Sequence, residues 1–146
     1  MIKVFDFFSG CGGTSCGFQQ AGLEIVLGLD VDHDAAQTYR SNFPGAAFIE
    51  DDIRTLDTNA LDPWMTERDS PVLFSGCAPC QPFSTYAHRY SLEGDGKWGL
   101  LYEFARLAKA TNPEIITMEN VPTVAKHEVF HEIGRASCRE RVLRRV

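Results

Sequence analysis

The sequence predicts an α/β domain in which a parallel sheet carries helices on both faces. Three observations lead there. Short apolar runs near Val4, Ile25, Phe48, Val72 and Ile115 alternate with stretches of helical pattern at 14–21, 34–42 and 100–111. A glycine-rich turn follows the first run directly, at a strand-to-helix junction where a ligand can touch backbone. Phe8, Asp30, Asp52, Cys80 and Glu119 all fall just past a predicted strand, and in parallel sheets ligands gather beyond the carboxyl ends of strands.

The first strand is Lys3-Val4-Phe5-Asp6-Phe7-Phe8, running into Ser9-Gly10-Cys11-Gly12-Gly13 and a helix from Thr14 to Ala21. After Gly22 a second strand, Leu23 to Leu29, closes on Asp30, about 20 residues after the first glycine, where nucleoside-binding folds place a carboxylate for ribose hydroxyls. A bound nucleoside is the functional reading, and a purely structural tight turn is the alternative. The next helix is expected to start at the acidic Asp34 and to stop before Pro44. The run near Phe48 leads to Glu50-Asp51-Asp52, either an acidic turn or a ligand-binding one in which Asp51 could replace Asp52. The run near Val72 leads to Gly76-Cys77-Ala78-Pro79-Cys80-Gln81-Pro82-Phe83-Ser84. From Ser84 to Gly99 the chain reads as a loop able to close over a bound substrate, with His88 and Arg89 more simply solvated than bound to phosphate. A helix from Leu100 to Thr111 and the run Ile115-Ile116-Thr117-Met118 complete the alternation, ending in Glu119-Asn120-Val121-Pro122.

Cys80 and Glu119 supply a nucleophile and an acid. A thiol in a Pro-bounded loop after one strand and a carboxyl at the tip of another suit attack on an electron-poor ring carbon, which points to a pyrimidine base. Asn120 and Pro122 would fix the turn that aims Glu119, although a strand-end glutamate is often only solvated. Cys77 with Cys80 also forms a C-x-x-C that could serve as a redox dithiol or half of a zinc site, but no second ligand pair at matching spacing accompanies it. Cys77 is expected to be a small loop residue, Cys11 and Cys16 buried apolar thiols, and no disulfide is expected among the five cysteines.

These runs, in this order, resemble the DNA cytosine-5 methyltransferase family from Val4 to about Pro122. The resemblance rests on Asp6-Phe7-Phe8-Ser9-Gly10-Cys11-Gly12-Gly13, Asp30-Val31-Asp32, Asp51-Asp52-Ile53, Pro79-Cys80-Gln81-Pro82-Phe83-Ser84 and Glu119-Asn120-Val121. It implies a Rossmann-like methyltransferase fold that binds S-adenosylmethionine. Phe8 matches the aromatic stacked on adenine, and Ser9, Gly10, Gly12 and Gly13 the turn around the methionine part. Asp30 matches the ribose ligand, Asp52 and Ile53 the pair on the adenine amino group and edge, and Pro79 and Leu100 the walls of the pocket. Cys80 is implied as the nucleophile at C6 and Glu119 as its partner at N3, with Gln81, Ser84 and Asn120 against the substrate and no metal. The implied partner is double-stranded DNA with the cytosine flipped from the stack.

Charge complicates that partner. The net charge is −6, whereas a duplex-binding surface needs clustered Lys and Arg, and no cluster precedes residue 132. We therefore expect residues 1–131 to be the amino-terminal, cofactor-binding and catalytic part of a longer methyltransferase domain, inactive alone. A cofactor-binding subunit of a split enzyme, paired with a complementary polypeptide, and a tRNA cytosine-5 methyltransferase are the alternatives. Residues 132–146 abandon the pattern, supply five of the fourteen Lys and Arg, and resemble an adapter oligonucleotide read as codons, so they are expected to be non-native. Without them nine basic residues face eighteen acidic ones. No signal peptide or membrane-length apolar run is visible, which makes the expected setting cytoplasmic, of bacterial or phage type.

Overall fold

The structure is a computed structural model that describes residues 1–65, 69–79 and 99–136. Five strands, β1 (Lys3–Phe7), β2 (Glu24–Asp30), β3 (Ala47–Glu50), β4 (Val72–Gly76) and β5 (Ile115–Met118), form one sheet in the order β3-β2-β1-β4-β5. Every pairing is parallel. The strand order reverses between β1 and β4, and at such a switch point the connections leave in opposite directions and open a crevice beyond the strand ends. The described helices are α1 (Gly13–Gln20), α2 (His33–Asn42), α3 (Asp62–Met65), α4 (Gly99–Thr111) and α5 (Glu128–Ala136), with 3₁₀ turns at Thr58–Leu61 and Pro122–Lys126. No described helix is long and apolar enough to cross a membrane.

Alternation along the strands decides which helices cover which face. Phe5 and Phe7 of β1 point to one side, where they meet Phe74 of β4 at ring centroid distances of 5.3 and 4.8 Å, and Phe7 meets Phe104 of α4 at 5.4 Å. Asp6 points to the other side, toward Ser15 of α1, and Tyr39 of α2 packs there against Phe48 of β3. Helices therefore occupy both faces, α4 on one and α1 with α2 on the other. The central strands are the most buried, since all five β4 residues are buried, whereas β3 and β5 are only half covered. That gradient is what a doubly covered parallel sheet requires of its sequence, and it explains the continuous apolar runs of β1 and β4.

Several sequence expectations need correcting in detail. α2 starts one residue before Asp34, and its cap is Asp32, whose side chain accepts a hydrogen bond from the Ala35 N–H at 2.8 Å. Asp34 instead lies in the first turn, where its charge suits the positive end of the helix. Cys11 and Cys16 are exposed rather than buried, because the glycine turn and the outer side of α1 face solvent while Ser15 takes the buried position. Apolar pattern also persists beyond His131, since α5 continues to Ala136 and buries Val129 and Ile133, four positions apart on one face. Residues 137–146 lie outside the described residues.

Candidate functional site

Five loops leave the carboxyl ends of the strands along one rim, and each is tied to its neighbour by main-chain or side-chain hydrogen bonds. Ser9 N–H donates to the Leu29 carbonyl at 3.0 Å, and Asp51 N–H to the Asp30 carbonyl at 3.2 Å. On the other side Cys77 N–H donates to the Phe7 carbonyl at 3.3 Å, and Glu119 N–H to the Gly76 carbonyl at 3.2 Å. The rim thus runs from Asp52 past Asp30, the glycine turn and Cys77 to Glu119.

The turn after β1 is strongly determined. Gly10 and Gly12 have φ of +52° and +95°, a region that side chains disfavour. A Cβ at Gly12 would also come within 2.3 Å of the Phe43 ring and 3.0 Å of Tyr39. Phe8 shares the left-handed conformation at φ +60° without being glycine, which costs about 1–3 kcal/mol and orients a half-buried ring at the head of the turn. Ser9 is buried, with its hydroxyl 3.4 Å from the Leu29 carbonyl, and Gly13 opens α1. Asp30 holds the turn from the side. One carboxylate oxygen accepts from Gly10 N–H at 2.8 Å and the other from Asp32 N–H at 3.0 Å. Beside it Val31 is 68% exposed, an apolar face turned to solvent.

The Asp52 loop is braced by two arginines. Arg54 grips the Asp52 carboxylate through Nε at 3.0 and 2.9 Å and through a guanidinium nitrogen at 2.5 Å. Arg54 N–H donates to the same carboxylate at 2.9 Å. Hydrogen bonding from Arg54 holds the Asp52 carboxyl below the usual range, so it stays an ionised acceptor. Ile53 is buried, and Arg106 of α4 donates to the carbonyls of Ile53 at 3.1 Å and Leu56 at 2.9 Å. Asp51 instead accepts from Asp52 N–H at 2.7 Å, a local turn role. Leu100 is half-buried in the first turn of α4, packed against the core.

At the far end, Glu119 is exposed and its carboxylate accepts from the Cys77 thiol at 3.2 Å. Asn120 does not face outward alone. Its amide donates to the Ala78 carbonyl at 3.0 Å and its oxygen accepts from Val121 N–H at 2.9 Å, stapling the β5 loop to the β4 loop. Pro79 is exposed at the last described position of that loop. Cys80, Gln81 and Ser84 lie outside the described residues.

Sequence reasoning missed three participants. Cys77 was expected to be only a small loop residue, Arg106 sits in a helix read for its apolar face, and Asp6 was named in the first strand without a role of its own. Asp6 is 1% exposed, with Oδ2 accepting from the Ser15 hydroxyl at 2.7 Å and Oδ1 lacking a partner among the described residues. Burial pushes the Asp6 carboxyl up. Ser15 opposes the rise, as does Ser75 across the β1–β4 pairing, without closing a hydrogen bond on Oδ1. The available signal was a lone acid in the run Val4 to Phe8.

The architecture has close counterparts. Type II methylase M.HgiDII of Herpetosiphon aurantiacus is 39% identical over 131 residues, covering 88% of this chain and 36% of that protein. Type II methyltransferase M.DdeI of Desulfomicrobium norvegicum is 37% identical over 120 residues, covering 82% of this chain and 28% of its own length. The chain thus spans about a third of the length of these curated relatives. A prophage-encoded E. coli protein described as a DNA modification methyltransferase superposes with a TM-score of 0.74 at 26% identity, over 93% of this chain and 37% of that one. The S. pombe Dnmt2 methyltransferase shares the fold with a TM-score of 0.69 at 24% identity, over 93% of this chain and 41% of its own. The signature of the C-5 cytosine-specific DNA methylases matches residues 2–135, and with the parallel sheet and its rim of loops this establishes that the chain belongs to that family.

Proposed function

We propose that this chain carries the cofactor-binding and catalytic part of an enzyme that methylates C5 of cytosine in duplex DNA, with S-adenosylmethionine as donor. The observation that supports this most is the continuous rim on which Asp52, Asp30, the glycine turn, the Cys77–Pro79 loop and Glu119 follow one another. The residues fit the donor's parts. A turn without a Cβ at Gly10, where nothing stands within 4 Å of the position a Cβ would take, admits an amino-acid chain against backbone, Phe8 offers an aromatic plane, and the Asp30 carboxylate stands beside the turn for ribose hydroxyls. Asp52 would take the adenine amino group, sharing its carboxylate with Arg54, while Ile53, Pro79 and Leu100 would wall the pocket.

The reaction needs help from the protein because C5 of cytosine is a poor nucleophile. Cys80, as thiolate, would add its sulfur to C6. Glu119 would hydrogen-bond or protonate N3, so that electron density from the new bond collects at C5. S-adenosylmethionine, when bound, supplies the electrophilic methyl group that C5 takes. A water molecule acting as base would then take the C5 proton, the electron pair expelling the Cys80 sulfur from C6 as thiolate, while N3 releases any proton it took back to Glu119. The base must leave the duplex stack to reach both groups, at a cost of a few kcal/mol. Since eighteen acidic residues oppose nine basic ones before residue 132, the duplex contacts are assigned to further polypeptide acting in cis or in trans.

The test is a covalent trap. Duplex DNA containing 5-fluorocytosine, incubated with S-adenosylmethionine and the protein expressed from its own gene, should leave a stable adduct on the peptide that contains Cys80. Cys80→Ser should abolish it and Glu119→Gln should slow it. No adduct, or an adduct on a different cysteine, would reject the mechanism.

A further inference from the structure

The buried acid of β1 begins a hydrogen-bonded chain that crosses three elements. Ser15 Oγ donates its one proton to Asp6 Oδ2 at 2.7 Å and lies 2.9 Å from the Tyr39 hydroxyl. With Asp6 ionised that proton is committed, and Tyr39 is then the donor in the second bond. Burial pushes the Tyr39 phenol up to about 12, so it keeps its proton at ordinary pH. The order is therefore Tyr39 to Ser15 to Asp6, from α2 through α1 to β1.

The ring of Tyr39 works with its hydroxyl. A Cβ at Gly28 of β2 would come within 2.5 Å of that ring, and one at Gly12 within 3.0 Å, so the ring lies directly on the backbone of both. The glycine turn lies between Asp6 and Ser15, the two groups the chain joins. A turn with so few side chains takes its shape from its ends, and here both ends are fixed to one buried network. Asp6 Oδ1 is buried without a hydrogen-bond partner among the described residues, beside Ser75 of the paired strand β4.

We infer that the Tyr39 hydroxyl, acting through Ser15 and Asp6, is a positioning group that sets how tightly the glycine turn grips the amino-acid end of the methyl donor, an inference that rests on the reading of the site given above. Its effect falls chiefly on that end of the ligand, because the Asp52 loop that would hold the adenine is braced separately by Arg54 and Arg106.

Two probes separate those ends: S-adenosylhomocysteine, and 5′-methylthioadenosine, which lacks the amino-acid portion. Calorimetric titration of the full chain should show Tyr39→Phe weakening S-adenosylhomocysteine about tenfold, the scale of one buried hydrogen bond, with 5′-methylthioadenosine changed less than about twofold. Ser15→Ala, which removes the central link and a single oxygen, carries the same expectation should Tyr39→Phe fold poorly. Parallel losses for both ligands, or no loss for either, would overturn the inference alone, with wild-type binding intact. A wild-type chain that takes up neither ligand would overturn the cofactor reading, and this inference with it.

Discussion

The turn after β1 and the junction between the β4 and β5 loops lie on the same rim but are built differently. The first is held from every side: two left-handed glycines, aromatic rings against backbone, a carboxylate with both oxygens engaged, and a buried hydrogen-bonded chain beneath. The second is a surface join in which an exposed Glu119 meets the Cys77 thiol and one amide, from Asn120, ties loop to loop. The contrast teaches that this chain is preorganised where it would hold a small donor and adjustable where it would meet a base arriving from outside. Preorganisation reduces the ordering cost of binding, whereas a carboxyl with the role proposed for Glu119 would need freedom to move with an incoming base.

The comparison breaks most sharply at Gly12. Gly12→Ala forces a side chain into a left-handed position and against Phe43, and should destabilise the fold by about 3 kcal/mol in urea unfolding. A loss below about 1 kcal/mol would mean the turn is not overdetermined. At the other end, Asn120→Ala removes one bond between loops and should cost only about 1 kcal/mol, while amide hydrogen exchange at Cys77 and Ala78 quickens.

Titration probes the same contrast with smaller effects. The folded-state pKa of Asp6 is raised above its ordinary 3.8, so the stability linked to its proton is complete below that value and is lost as pH rises through the raised one. Asp6→Asn cannot titrate and should gain on the wild type over that interval, as read from urea midpoints between pH 4 and pH 8. Parallel curves would show that the acid carries no such penalty. The smallest effect lies on the exposed edge of the sheet. The hydrogen bond that the His33 ring donates to Glu50 raises His33 above 6.5, and its ring titration by NMR should move down toward that value in Glu50→Gln. Any stability linked to His33 is present below 6.5 and lost as pH rises through the raised value.

Much of this was legible in the sequence for physical reasons. Strands buried on both faces must be almost wholly apolar, which made β1 and β4 readable, and the turn announced itself through glycines that a tight, left-handed backbone favours. The positions of Asp30, Asp52 and Glu119 followed from strand ends. What escaped were long-range partnerships. Nothing local marks Arg106 as the brace of carbonyls some fifty positions earlier, or Tyr39 as the donor to Ser15. The cap of α2 was misplaced because Asp32 and Asp34 are both acidic, and only side-chain geometry distinguishes a cap from a first-turn charge.

Phe8 carries a consequence for anyone who would make this domain sturdier. A glycine there would relieve the twisted backbone, yet it would loosen the unfolded chain, forfeit the ring's packing against the core and delete the aromatic surface that the kink presents. Strain and packing are thus joined in one residue, so the kink cannot be relaxed without also stripping the rim of its aromatic face.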